Sequence, residues 1–118
     1  MRKLEITVGG VNKAAAEFVK TARALEEGAT VRTREQLFFA DMPTLLKTLT
    51  SERWRLIEHL KREGPLSINA VAQQLRRNYK NVHGDVKRLM EIGLVERLDD
   101  GQIRVPFSSI IAELKMAA

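Results

Sequence analysis

From Ser67 to Val105 the chain reads SINAVAQQLRRNYKNVHGDVKRLMEIGLVERLDDGQIRV, and few folds accommodate that order of signals. Ser67 is an N-cap residue ahead of a short helical pattern in which Val71, Ala72 and Leu75 share one face. Arg76-Arg77-Asn78 makes a polar turn. Asn78 can cap a second helix, whose Val82, Val86, Leu89 and Met90 recur at i, i+4, i+7 and i+8. Gly93 is the expected stop. Leu94 to Leu98 and Gln102 to Val105 then read as two short strands, joined by the hairpin signal Asp99-Asp100-Gly101. Two helices at a turn, closed by a charged hairpin, form one structural unit that fixes what its neighbours can be.

Upstream, Leu4, Ile6 and Val8 alternate with Lys3, Glu5 and Thr7, the period of a half-buried strand. Gly9-Gly10 ends it. Asn12 caps an expected helix to about Glu27, with Val11, Ala15, Phe18, Val19, Ala22 and Leu25 on one face. Thr30 to Phe39 is β-branched and apolar enough for a second strand. Residues 1–40 therefore read as a β-α-β extension suited to dimerisation or partner binding. Asp41-Met42-Pro43 marks a break, since the residue before proline is pushed out of helical geometry. Thr44 to Leu49 can form a helical turn. Thr50-Ser51-Glu52 opens a helix that places Trp54, Ile57, Leu60 and Leu56 in the core and stops at Gly64-Pro65. After Pro106, Ile110, Ile111 and Leu114 suggest a last helix over Ser108 to Met116, closing the domain or joining two copies. The expected class is α+β, with residues 41–118 forming the second domain.

A chain of 118 residues with 44% hydrophobic and 30% charged side chains suits a small globular protein. Net charge of +5 draws it toward polyanions. The absence of cysteine excludes disulfides, thiolate zinc sites and cysteine nucleophiles, and fits a cytoplasmic protein. His59 and His83 are expected on different helices without carboxylate company, so no metal or other cofactor is expected. No window approaches the ~18 apolar residues of a membrane span. Neither a glycine-rich phosphate loop nor a Ser-His-Asp or paired-carboxylate arrangement is present, so the chain does not read as an enzyme.

With its inner face assigned, the helix from Tyr79 must turn Lys80, Asn81, His83, Gly84, Lys87 and Arg88 outward. Asparagine pairs bidentately with adenine, and lysine and arginine reach guanine edges or phosphates, so these residue types suit the major groove. An ordinary solvated helix face is the plain alternative. Lys80, Asn81, His83 and Lys87 are the candidates for contact at or near bases. Arg76, Arg77, Arg88, Arg97 and Arg104 are candidates for the phosphate backbone. Ser67, at the mouth of the first helix, is counted with them. Tyr79 either meets a phosphate or thymine methyl or packs beneath the helix. Asp99 and Asp100 would repel phosphate from the hairpin tip. Gly84 costs about 1 kcal/mol relative to alanine inside a helix. It either admits close approach of DNA or of the preceding helix, or is drift.

Leu49-Thr50 with Arg53, Ser67-Ile68, Asn81-Val82-His83, Asp85-Val86, Leu89 and Gly93-Leu94-Val95, spread over residues 37–105, resemble prokaryotic winged helix-turn-helix transcriptional regulators of the broad MarR/ArsR-like group. The resemblance implies a winged-helix fold, binding to double-stranded DNA as a homodimer, and repression. The narrower Asn-Val-His-x-Asp-Val run is similar to a subfamily some of whose members are regarded as antitoxins, which implies a protein toxin as a further partner. Gly84 departs from that pattern, where a larger and often basic residue is expected.

Overall fold

A computed structural model describes residues 2–9 and 35–116. The expected helix from Asn12 to Glu27, and the start of the expected strand at Thr30, lie outside the described residues. The chain divides into two compact units: Met1–Thr48 with Phe107–Ala118, and Leu49–Pro106. This partition differs from the expected one at residue 40, because the chain returns to its first unit after the second has been inserted.

The first unit contains a three-stranded parallel sheet in the order β2-β1-β5, from β1 (Lys3–Val8), β2 (Glu35–Phe39) and β5 (Ser109–Leu114). The alternation read in the sequence is borne out, with Leu4, Ile6 and Val8 all buried in the central strand. Ile6 pairs with Leu37 on one side and Ala112 on the other. Gly9 ends β1 at φ +80, and its N–H donates to the Phe39 carbonyl at 2.9 Å. A Cβ there would lie 2.5 Å from the Lys115 carbonyl oxygen, so the end of β1 passes beside the end of β5 only as a glycine.

The last helix expected over Ser108 to Met116 is instead the strand β5. Ile110, Ile111 and Leu114 fit either period, and the neighbouring β-branched pair favours a strand once β1 offers a ladder. The segment is anchored by Phe107, which is buried and carries the Arg2 guanidinium 5.0 Å from its ring centroid. Ser108 donates from both its N–H and its hydroxyl to the Arg2 carbonyl, each at 2.8 Å.

Helix α1 (Met42–Thr48) starts earlier than the expected Thr44. Asp41 is its cap: the carboxylate accepts from the Thr44 N–H at 2.8 Å and from the Thr44 hydroxyl at 2.6 Å. Pro43 is tolerated because a first-turn N–H has no helical partner. Those two bonds hold the Asp41 carboxyl below its ordinary pKa. The Arg2 guanidinium, 2.6 Å from Glu35, does the same for that residue. Both folded-state values being depressed, their contribution is complete above the ordinary carboxylate range and is lost as pH falls through the depressed values. Acid titration of Asp41→Ala should therefore show a smaller loss of stability than wild type below about pH 4.

In the second unit, three helices and a hairpin enclose one core. Helix α2 (Ser51–Glu63) is capped by Thr50, whose side chain accepts from the Arg53 N–H at 3.3 Å, and it stops at Gly64. Helix α3 (Ile68–Leu75) is capped by Ser67 through the Ala70 N–H at 3.0 Å, and α4 (Tyr79–Glu91) by Asn78 through the Lys80 N–H at 2.8 Å. The caps Ser67 and Asn78 match expectation, and α2 opens at the expected Thr50-Ser51-Glu52. Strands β3 (Glu96–Arg97) and β4 (Ile103–Arg104) pair antiparallel, shorter than expected. Leu66, just before α3, exchanges two backbone hydrogen bonds with Ile103 at 2.8 and 3.1 Å and so ties the hairpin to the helices. Leu49, Leu56, Val71, Val82, Val86, Leu89, Leu94 and Ile103 are entirely removed from solvent.

Trp54 is half-buried and not in this core. The inner stripe of α2 runs through positions 53, 56, 57 and 60, so the place one turn before Leu56 and Ile57 belongs to Arg53.

Candidate nucleic-acid interface

Helix α4 is polarised by its burial. Val82, Val86 and Leu89 are fully buried, whereas Lys80, Asn81, His83, Gly84, Lys87 and Arg88 are exposed. Positions 80, 84, 87 and 88 fall on one outer stripe, with Asn81 and His83 on its flanks. Tyr79 does not pack beneath the helix; it is 50% exposed, with its ring 5.9 Å from that of His83 one turn on. The outer face thus carries two lysines, an arginine, an amide, an imidazole and a phenol on a frame fixed by the inner face.

At the centre of the stripe Gly84 leaves the backbone bare. A Cβ there meets no atom within 4 Å, which removes close approach of the preceding helix as the reason for a glycine. Gly84→Ala should accordingly raise stability by about 1 kcal/mol, read as a higher midpoint in chemical denaturation. An unchanged or lower midpoint would show that the helix needs the glycine after all.

Arg76 and Arg77 stand side by side in the turn and have separate fates. Arg76 ends α3 in the left-handed region, at φ 54 and ψ 46, and its side chain is exposed. Among the described residues it is the sole non-glycine with positive φ. That conformation costs roughly 1–2 kcal/mol for an L-residue with a Cβ. Arg77 turns inward, with its side chain 19% exposed. Its Nη2 donates to Asp85 Oδ2 at 2.8 Å, and its Nε lies 3.4 Å from Glu52 Oε2. Arg53 completes the group, its Nε donating to Asp85 Oδ1 at 3.0 Å.

Asp85 is therefore clamped between arginines from α2 and from the turn. A signal was available, since Arg53 sits on the inner stripe of α2 and a charge there requires a counter-charge. The clamp fixes the rotation of α4, and with it the direction in which Lys80 and Asn81 point.

The remaining candidates are peripheral. Arg88 pairs with Glu91 at 3.1 Å, and Arg104 with Glu96 across the hairpin at 2.6 Å from Nε. Arg97 is exposed on β3, in register with Ile103. Ser67 is exposed at the start of α3, where its oxygen is engaged as the cap. His59 Nε2 donates to Gln74 Oε1 at 2.6 Å and lies beside an open hollow of about 190 Å³ between Arg55, Arg62 and Leu75. Among the described residues no group of three His, Asp or Glu side chains could hold a metal ion. Nor is any described helix long and apolar enough to cross a membrane.

These features define a small mixed α/β protein in which α4 of the helical unit presents a cationic, polar face. The chain belongs to the HVO_A0114 family, whose model matches residues 48–112, more than half of its length. Membership brings no activity or partner with it. No curated protein and no solved structure matches the chain.

Proposed function

We propose that this protein is a sequence-specific DNA-binding transcriptional regulator of the winged helix-turn-helix type, in which α3 and α4 are the helix-turn-helix and the β3-β4 hairpin is the wing. It acts as a dimeric repressor, with α4 entering the major groove. The observation that carries the reading is the outer face of α4. Its exposed Lys80, Asn81, His83 and Lys87 stand on a helix whose opposite face is wholly buried, so the donors are presented on a rigid support. Net charge of +5 supplies attraction to the phosphate backbone. The left-handed Arg76 adds weight. A purely structural turn is better served by glycine, and an exposed arginine kept there at a backbone cost fits a phosphate contact.

The test is recovery of bound fragments from fragmented genomic duplex DNA by the purified chain, followed by gel shifts at fixed salt. The expected result is enrichment of sites with two similar half-sites about one helical turn apart. Equal binding to every duplex, or tighter binding to structured RNA than to DNA, would overturn the reading.

A further inference from the structure

Strand β5 breaks the rule its neighbour β1 obeys. In β1 burial alternates, as expected for one covered face. In β5 the four residues from Ile111 to Leu114 are all exposed. Apolar side chains stand on both faces of that strand: Ile111 is 56% exposed on one, while Leu114 at 46% and Met116 at 82% belong to the other. Among the described residues β5 is also a sheet edge, with β1 as its one neighbour. Its Ser-Ile-Ile-Ala-Glu-Leu sequence has no proline, and its one charge, Glu113, is followed by the opposite charge of Lys115.

The direction of the free backbone groups can be deduced. The Lys115 N–H donates to the Val8 carbonyl at 2.9 Å, so Lys115 turns toward β1. Alternation along a parallel ladder then turns the N–H and C=O of Ala112 and Leu114 outward. We propose that a second copy of the chain pairs on this edge, β5 antiparallel to β5, about a two-fold axis through Leu114, joining two three-stranded sheets into one of six strands.

Charge selects this register and this occupant. Centred on Leu114, the outward groups of Leu114 meet those of its counterpart, and Ala112 lies opposite Met116 of the second copy, forming an apolar row. On the other face Glu113 lies opposite Lys115 of the second copy, and the symmetry makes that pairing twice. A shift to an axis through Glu113 would set two like charges face to face. A shift to Ala112 would leave Glu113 opposite Ile111. The strand is thus complementary to its own antiparallel copy in one register. This proposal supplies the interface for the dimer proposed above, and because assembly is measured without DNA, its failure is distinguishable from failure of DNA binding.

Sedimentation of the full chain between about 1 and 100 µM should show a monomer-dimer equilibrium. Glu113→Lys and Lys115→Glu, each placing like charges opposite, should each weaken the dimer at least about tenfold. The combined Glu113→Lys/Lys115→Glu variant should restore it, which a merely misfolded strand would not. Since the chain has no cysteine, Leu114→Cys introduces one thiol, at a hydrogen-bonded pair with a Cα separation of about 5.5 Å. It should cross-link on oxidation, and Ala112→Cys should not. A chain monomeric throughout, a dimer indifferent to either charge reversal, or cross-linking at Ala112 in place of Leu114 would overturn the proposal.

Discussion

Asp85→Ala is expected to destabilise the helical unit by about 3 kcal/mol, within the range found when one partner of a buried ion pair is removed. Arg53 and Arg77 have side chains only 20% and 19% exposed, and both direct donors at the Asp85 carboxylate, itself 16% exposed. Without the carboxylate, two guanidinium groups would face each other with little water to screen them. The margin is already thin, because Arg77 Nη1 is buried without a hydrogen-bond partner. Glu52 stays within 3.4 Å of Arg77 but is half exposed and offsets only part of the loss. Trp54, the chain's single tryptophan, lies in α2 and reports this unit selectively in urea titrations. Asp85→Asn should lose less, since an amide oxygen keeps one acceptor. A double-mutant cycle on Arg53 and Asp85 should give a coupling above about 1 kcal/mol. An Asp85→Ala midpoint within error of wild type would remove the clamp from any account of this fold.

The clamp also marks where sequence reading stopped. Ser67 and Asn78 were legible as caps because a cap is local: the side chain bonds to an N–H two or three positions ahead. Three of the four residues read as the inner face of α4, Val82, Val86 and Leu89, were legible for the same reason, whereas Met90 at its end is only half-buried. What escaped depends on contacts distant in sequence. Arg53 on the inner stripe of α2 calls for a counter-charge, but that partner, Asp85, is distant in sequence, and only the packing of α4 beside α2 makes them a pair. β5 escaped in a similar way, because its period is ambiguous and its partner β1 begins at Lys3, at the other end of the chain. The candidate outer face was legible as the complement of the buried stripe. The division of labour between Arg76 and Arg77 was not, because it turns on a single left-handed residue.

That division makes the second large prediction selective. Taking α4 as the reading helix, Asn81→Ala is expected to cost about 1–3 kcal/mol at the preferred site and to relax the choice at one base position, with little change on unrelated duplex. Lys80→Ala is also expected to lose specific binding while the fold stays intact. Arg76→Ala acts at the backbone, so it should weaken all sequences alike and reduce the slope of log K against log salt by about 0.9. Arg77→Ala should behave differently from its neighbour. Its guanidinium is spent on Asp85 and Glu52, so unfolding should come at lower urea, while the salt slope of the folded fraction stays close to wild type. Measured together at several salt concentrations, the four variants separate base reading, phosphate contact and support of the helix. Unchanged site affinity for both Lys80→Ala and Asn81→Ala would sink the assignment of α4. Equal salt slopes for Arg76→Ala and wild type would leave its strained backbone without a nucleic-acid explanation.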